Sequence, residues 1–335
     1  MKISKQILFF LFSSLLIFSG CLRTGSVMDD EKLTVISMIF PSYDFVRVIA
    51  GDRVNLILLT SPGMESHSFE PSPRDLIAIR ESDIFIYPGG EGTAWMDRVL
   101  ESLELSNSQT IVLSLLEMAE ALEEEFVEGM EVSYLDEHDD HLDHDHYVHD
   151  HYDHDHEEVP ALDGHVWTYP GNVILIVNEL AEILSELDPD NAYFYRQNAA
   201  DYIVQLRELD AAFRELVSGA VRRTLIVGDR FPFRYLAHHY GLDYFAAFSG
   251  CSTSTEPSAA SVAFLINQVR SLAIPVVFHI ELSNERIADV ISEATGAEKL
   301  LLHSAHNLSM SDFNAQISYL DIQRQNLNNL REALW

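Results

Sequence analysis

Eight of the fifteen histidines in this 335-residue chain crowd into nineteen positions: His138, His141, His144, His146, His149, His151, His154 and His156. They lie within residues 117–158, a stretch with eighteen acidic residues and neither lysine nor arginine. Imidazole and carboxylate are the usual ligands of zinc and neighbouring divalent metals. A segment this polar cannot bury enough apolar surface to fold by itself. Wrapping an ion there costs chain entropy, so the expected binding is weak, multiple and exchangeable.

Three other motifs place single polar residues on loops. Ser61-Pro-Gly-Met-Glu-Ser-His67-Ser-Phe-Glu-Pro-Ser-Pro-Arg-Asp75 follows an expected strand and precedes a capped helix. Asp163-Gly-His165-Val-Trp-Thr-Tyr-Pro170 precedes another helix, and Gly228-Asp-Arg-Phe-Pro-Phe-Arg-Tyr235 follows a strand. Lone loop histidines are usually unremarkable, but His67 and His165 fall where an open α/β sheet holds ligands, beyond strand ends.

These motifs need a frame. Short apolar, β-branched runs at 33–39, 54–59, 84–87 and 110–113 alternate with helical stretches at 43–50, 73–80 and 94–105. Ser72, Pro73 and Asp75 form the start signal of the second helix. The alternation restarts with strands at 224–228, 243–248, 275–280 and 299–302, separated by helices at 261–272, 284–295 and 311–330. Such alternation predicts an α/β fold of parallel sheets covered by helices. Between the halves, Ala192, Tyr195, Ala199, Tyr202, Leu206, Leu209, Phe213 and Leu216 recur at spacings of three and four. That stripe predicts one helix over 190–217, about 40 Å long, packed along both lobes as a rigid spine. The expected organisation is a signal segment at 1–20, a tether at 21–32, an N-terminal lobe at 33–187 containing the 117–158 loop, a connecting helix at 188–218 and a C-terminal lobe at 219–335.

Composition narrows the function. Acidic residues outnumber basic ones 53 to 21, for a net charge of −32. That surface repels phosphate backbones and excludes nucleic acid as a partner, while it suits cations. Cys21 and Cys251 are the only cysteines, which excludes a disulfide framework or a thiolate-rich zinc site. Lys2 and Lys5, the apolar run 7–18 and Ser19-Gly20-Cys21 have the build of an export signal. Gly-Cys resembles a lipobox, so Cys21 is the expected lipidation site and the remainder lies outside the cytoplasm, anchored to a membrane. Cys251 is then a reduced core thiol.

The Pro-Gly-x-x-x-His-x-x-Glu-Pro-Ser-Pro and His-Val-Trp patterns, with the histidine- and acid-rich loop between them, make residues 33–335 resemble the zinc and manganese solute-binding proteins of ABC importers, the TroA-like family, in its zinc-uptake branch. The resemblance implies two α/β lobes, each with a mostly parallel sheet flanked by helices, joined by one long rigid helix, with the metal in the interlobe cleft. It implies His67 and His165 as the first two ligands. The family's third ligand is the histidine of a His-Asp-Ala-Phe-Gly-Tyr stretch, and Arg230 stands there instead, with Asp229 beside it. Arginine cannot ligate a cation. Asp229 is one oxygen candidate. Glu281, at another strand end, is a second, with a salt bridge to Arg230 as its alternative role. The fourth family ligand, a carboxylate after a late strand, corresponds to His303. His279 alternates with apolar residues and reads as a core histidine, and His238 and His239 read as helix surface. His306 is either loop filler or support behind a ligand.

Two or three imidazoles and one carboxylate favour tetrahedral Zn²⁺, with Mn²⁺ the alternative if more oxygens bind. The resemblance implies a receptor working as a monomer with an ABC permease and its ATPase, catalysing nothing. A cell-surface zinc hydrolase is the alternative from another class, although His-Glu-x-x-His and Gly-x-Ser-x-Gly motifs are missing. A metal-binding adhesin or buffer without a permease is a third.

Overall fold

The computed structural model describes residues 31–65, 69–90, 94–105, 108–130, 161–250, 252 and 256–335. The expected signal segment, Cys21, His67, the eight loop histidines and Cys251 lie outside the described residues. Residues 33–335 form one compact unit that carries two four-stranded sheets.

The first sheet contains β1 (Thr34–Ser37), β2 (Asn55–Leu58), β3 (Ile84–Tyr87) and β4 (Ile111–Ser114) in the order β2-β1-β3-β4. All its pairs are parallel, with Val35 opposite Leu56 and Ile84. Such strands are buried on both faces and so read as continuous apolar runs; Ile84, Phe85 and Ile86 are fully enclosed. The connecting helices are α1 (Phe40–Ala50), α2 (Pro73–Glu81) and α3 (Ala94–Leu105). Ser72 and Asp75 form a reciprocal capping box at the start of α2, as the sequence predicts.

After β4 come α4 (Pro170–Leu187) and the spine α5 (Ala192–Ser218). Of the expected stripe, Tyr195, Ala199, Tyr202, Leu206, Leu209, Phe213 and Leu216 are buried. A single 3₁₀ turn capped by Asp188 precedes the helix, so it begins two residues later than the spacing predicts.

The second sheet comprises β5 (Thr224–Phe231), β6 (Asp243–Ser249), β7 (Val276–His279) and β8 (Glu298–Leu301), ordered β6-β5-β7-β8 and again parallel. The helices are α6 (Arg234–Tyr240), α7 (Ala259–Ser271), α8 (Arg286–Thr295), α9 (Met310–Asn314) and α10 (Tyr319–Leu334). The single helix expected at 311–330 is two, because Ser318 and Asp321 make a second capping box that starts α10 afresh.

Two expectations need correction. Residues 117–130 do not form an unsupported polar loop. Leu122, Val127 and Met130 pack on the core, Glu124 N–H donates to Ala161 O and Asp163 N–H to Leu122 O. Glu125 accepts from Tyr244 Oη at 3.0 Å and pairs with Arg234 at 3.1 Å. This acidic strap therefore reaches from the first sheet to residues of the second. His239 is not surface: its ring stacks on Tyr169 at 3.8 Å, and burial lowers its pKa. His238 beside it is exposed.

Candidate metal centre

His165 begins a single 3₁₀ turn, Val166–Thr168, and is almost fully buried. Its backbone N–H donates to Asp163 Oδ1 at 2.7 Å, and its ring Nδ1 lies 2.9 Å from the same oxygen. A ring N–H donated to a carboxylate puts the lone pair on Nε2, the arrangement by which proteins orient a metal-binding imidazole. Asp163 is itself held from the other lobe, where Tyr235 Oη donates to its carbonyl at 2.6 Å. Two glycines permit the tight packing. A Cβ on Gly164 would stand 2.6 Å from Gly89 O, and one on Gly250 would meet the His165 ring at 3.3 Å.

Across the cleft the turn after β8 carries His303, Ser304, Ala305 and His306. Trp167 Nε1 donates to Ser304 O at 2.8 Å, which fixes this turn to the segment bearing His165. The rings of His165, Trp167 and His306 meet at 5.1–5.4 Å between centroids. Glu281 lies beneath. Its oxygens accept from Ser304 N–H at 2.7 Å, Ser304 Oγ at 2.5 Å and His306 N–H at 3.0 Å. Ala305 adopts φ +64°, which costs an alanine roughly 1–2 kcal/mol and folds two histidines around one carboxylate. Asn307 donates to Ser61 O and Met64 O at 2.9 and 2.8 Å, tying the turn to the loop that leads to His67.

A cavity of about 20 Å³ opens between these parts, enough for a water or a single ion. Glu65, Arg230, Gly250, Glu281, Ser304 and His306 are among its lining residues. Arg230 does not pair with Glu281. Its guanidinium meets Glu65 and donates to Ser252 O at 3.3 Å. Glu65 thus neutralises the cation that stands where the resemblance implies a histidine. The sequence reading missed Glu65, although its place two residues before His67 was a usable signal; the clue for His306 was its place in the His303-Ser-Ala-His306 turn.

The remaining candidates lie as follows. His303 Nδ1 accepts from Ala305 N–H at 2.9 Å and stands 3.4 Å from Glu281 Oε2. Asp229 sits at an irregularity in the β5–β6 register between Val227 and Arg230 and is absent from the cavity lining. It accepts from Arg230 N–H at 2.9 Å and from Ser283, and burial raises its pKa. His279, expected in the core, is largely buried, its side chain 14% exposed, with Nδ1 3.2 Å from Ile280 O and 3.8 Å from Glu285. Among the described residues, no three His, Cys, Asp or Glu side chains stand close enough together to hold a metal ion.

Known proteins share this architecture. The zinc-bound ZnuA-like domain of Streptococcus pneumoniae AdcA superposes with a TM-score of 0.70 at 27% identity, covering 90% of this chain and 99% of that one. The high-affinity zinc uptake system protein ZnuA of Bacillus subtilis is 28% identical over 308 residues, 91% of this chain and 88% of the relative. The zinc-binding lipoprotein AdcA of S. pneumoniae is 30% identical over 306 residues, and the chain spans 56% of its length. The family model for ZnuA, the periplasmic component A of zinc-uptake complexes, matches residues 35–333; the chain belongs to that family.

Proposed function

We propose that this chain captures Zn²⁺ outside the cytoplasm and delivers it to the permease of an ABC importer powered by its ATPase. It works as a monomer, held at the membrane by lipid on Cys21. The observation that carries this reading is His165, enclosed and oriented by Asp163, with its ring 5.4 Å from that of His306, which lines a small cavity together with Glu281. The proposed ligands are His67, His165, Glu281 and an imidazole of the 303–306 turn. His306 lines the cavity, whereas the Nδ1 of His303 is engaged by its own turn, so His306 is the better placed of the two. Asp229, within β5, supports the site by accepting from the backbone N–H of Arg230. Mixed imidazole and carboxylate ligation suits zinc, and Mn²⁺ would draw on more oxygens. Neither a nucleophile nor an activated water is needed for capture and release.

Calorimetric titration separates the cleft from the histidine-rich segment. Full-length protein is expected to show one tight zinc site and several weaker ones. Deleting residues 136–158 should leave the tight site and remove the weak ones. Loss of the tight site with that deletion would sink the assignment.

A further inference from the structure

Arg230 brings a permanent charge to the cavity. Its side chain is 10% exposed, and arginine keeps its proton at any pH at which proteins work. It lines the cavity together with two carboxylates, Glu65 and Glu281. The two carboxylates are held differently. Glu281 accepts from Ser304 N–H, Ser304 Oγ and His306 N–H, and these neutral donors orient it without neutralising its charge. Glu65 meets the guanidinium itself, with Arg230 Nη2 donating to its Oε2 in a charge-assisted contact.

Both partners of this pair are anchored from elsewhere. Arg230 Nη1 donates to Ser252 O at 3.3 Å, and the Arg230 backbone N–H donates to Asp229 Oδ1 at 2.9 Å. The loop that carries Glu65 is pinned to the segment after β8: Gly63 N–H donates to Leu308 O at 2.6 Å, and Asn307 Nδ2 to Met64 O at 2.8 Å. An exposed ion pair between two mobile side chains contributes little; here the chain delivers the two groups to each other from fixed backbones. Moving Glu65 onto an ion would leave a mostly buried guanidinium without its carboxylate, which is unfavourable.

We infer that Arg230 is a specificity-determining residue: by holding Glu65 it withholds a second carboxylate from the ion in the cavity and so favours Zn²⁺ over Mn²⁺. The choice follows from the donors each ion prefers. Zinc is satisfied by four ligands rich in imidazole. Manganese prefers carboxylate and other oxygens in a larger shell, so it has most to gain from a second carboxylate and loses most when that group is engaged elsewhere. The positive charge alone opposes any divalent ion at a given distance equally and cannot choose between two of them. The choice arises from the donor that the charge keeps occupied. Because arginine does not titrate, the hold on Glu65 persists at every pH at which the imidazoles bind metal. The inference rests on the receptor reading above and adds what sets the choice of ion.

The test titrates Zn²⁺ and Mn²⁺ separately into the full metal-free chain, in competition with a chelator. Arg230→Met keeps an apolar stem and removes the charge. The ratio of Mn²⁺ to Zn²⁺ affinity should then rise at least about tenfold, the low end of what the outer partner of a ligand controls. Adding Glu65→Gln to that variant should return the ratio to the parental value. A ratio unmoved by Arg230→Met would overturn the inference, since the arginine would then act on both ions as a charge alone. So would a raised ratio that survives Glu65→Gln, which would assign the added oxygen to another residue. Arg230→Gln, which keeps a donor for Ser252 O, carries the same comparison if the methionine variant does not fold. A parent chain that binds neither ion would defeat the receptor reading, and this inference with it.

Discussion

The N-terminal half brings His165 to the cleft as one imidazole locked by one carboxylate, its backbone and ring both bound to Asp163 and its surroundings trimmed by Gly164 and Gly250. The C-terminal half brings a turn in which His303, Ser304 and His306 all converge on Glu281, and a strand that places Arg230 against the cavity. The sheets behind them have the same strand order. A repeated scaffold therefore fixes where loops arrive and leaves their chemistry free to differ, as expected when function resides in loops held by a rigid frame. One half supplies a preorganised imidazole; the other supplies several candidate groups around a shared carboxylate.

The largest expected effect tests the preorganised half. His165→Ala removes the proposed ligand from a buried position, and zinc affinity measured by competition with a chelator should fall by more than about a hundredfold, beyond what losing a supporting partner alone causes. Affinity within tenfold of the parent would mean that the enclosed imidazole does not bind the ion.

A smaller and more discriminating effect is expected in the other half. His306→Ala should weaken zinc more than His303→Ala, and the latter should cost about 10–100-fold through the looser hold on Glu281. The reverse order would mean that the turn rearranges on binding so that His303 Nε2 becomes the ligand, as the resemblance to solute-binding proteins implies.

Much of the scaffold was legible in the chain itself. Buried parallel strands are continuous apolar runs, and the spine's apolar stripe from Tyr195 to Leu216 has one period throughout. The break between α9 and α10 was less visible because Ser318 interrupts a pattern whose apolar residues keep helical spacing on both sides. The site was legible on one side only. Asp163 and His165 are two residues apart and meet locally. Arg230 meets Glu65 across 165 positions, and Glu281 meets the 303–306 turn through strand ends brought together by the sheet. Contacts of that kind leave no local pattern. The acidic strap misleads for another reason: Leu122, Val127 and Met130 are too sparse to register beside so many carboxylates, yet they find a ready-made core.

The smallest effect concerns Asp229, the residue nearest in sequence to the family's third ligand. Its carboxyl lies away from the cavity lining, and burial holds its pKa above the ordinary carboxylate range despite help from Ser283, Arg230 and His279. A carboxyl raised by folding keeps its proton more tightly in the folded state than in the unfolded one. Stability therefore falls as pH rises through that range, and the ionised group opposes folding at neutral pH. Asp229→Asn keeps an acceptor for the Arg230 N–H and removes the charge. The zinc-free variant should melt on the order of 2 °C above the parent at pH 7, and the gap should close as the pH is lowered into the range where Asp229 itself is protonated. Zinc affinity should change by less than about tenfold, the low end for a supporting group. A zinc-free variant that melts below the parent at pH 7, with zinc binding abolished, would instead make Asp229 a ligand and restore to the C-terminal half the third position that Arg230 vacates.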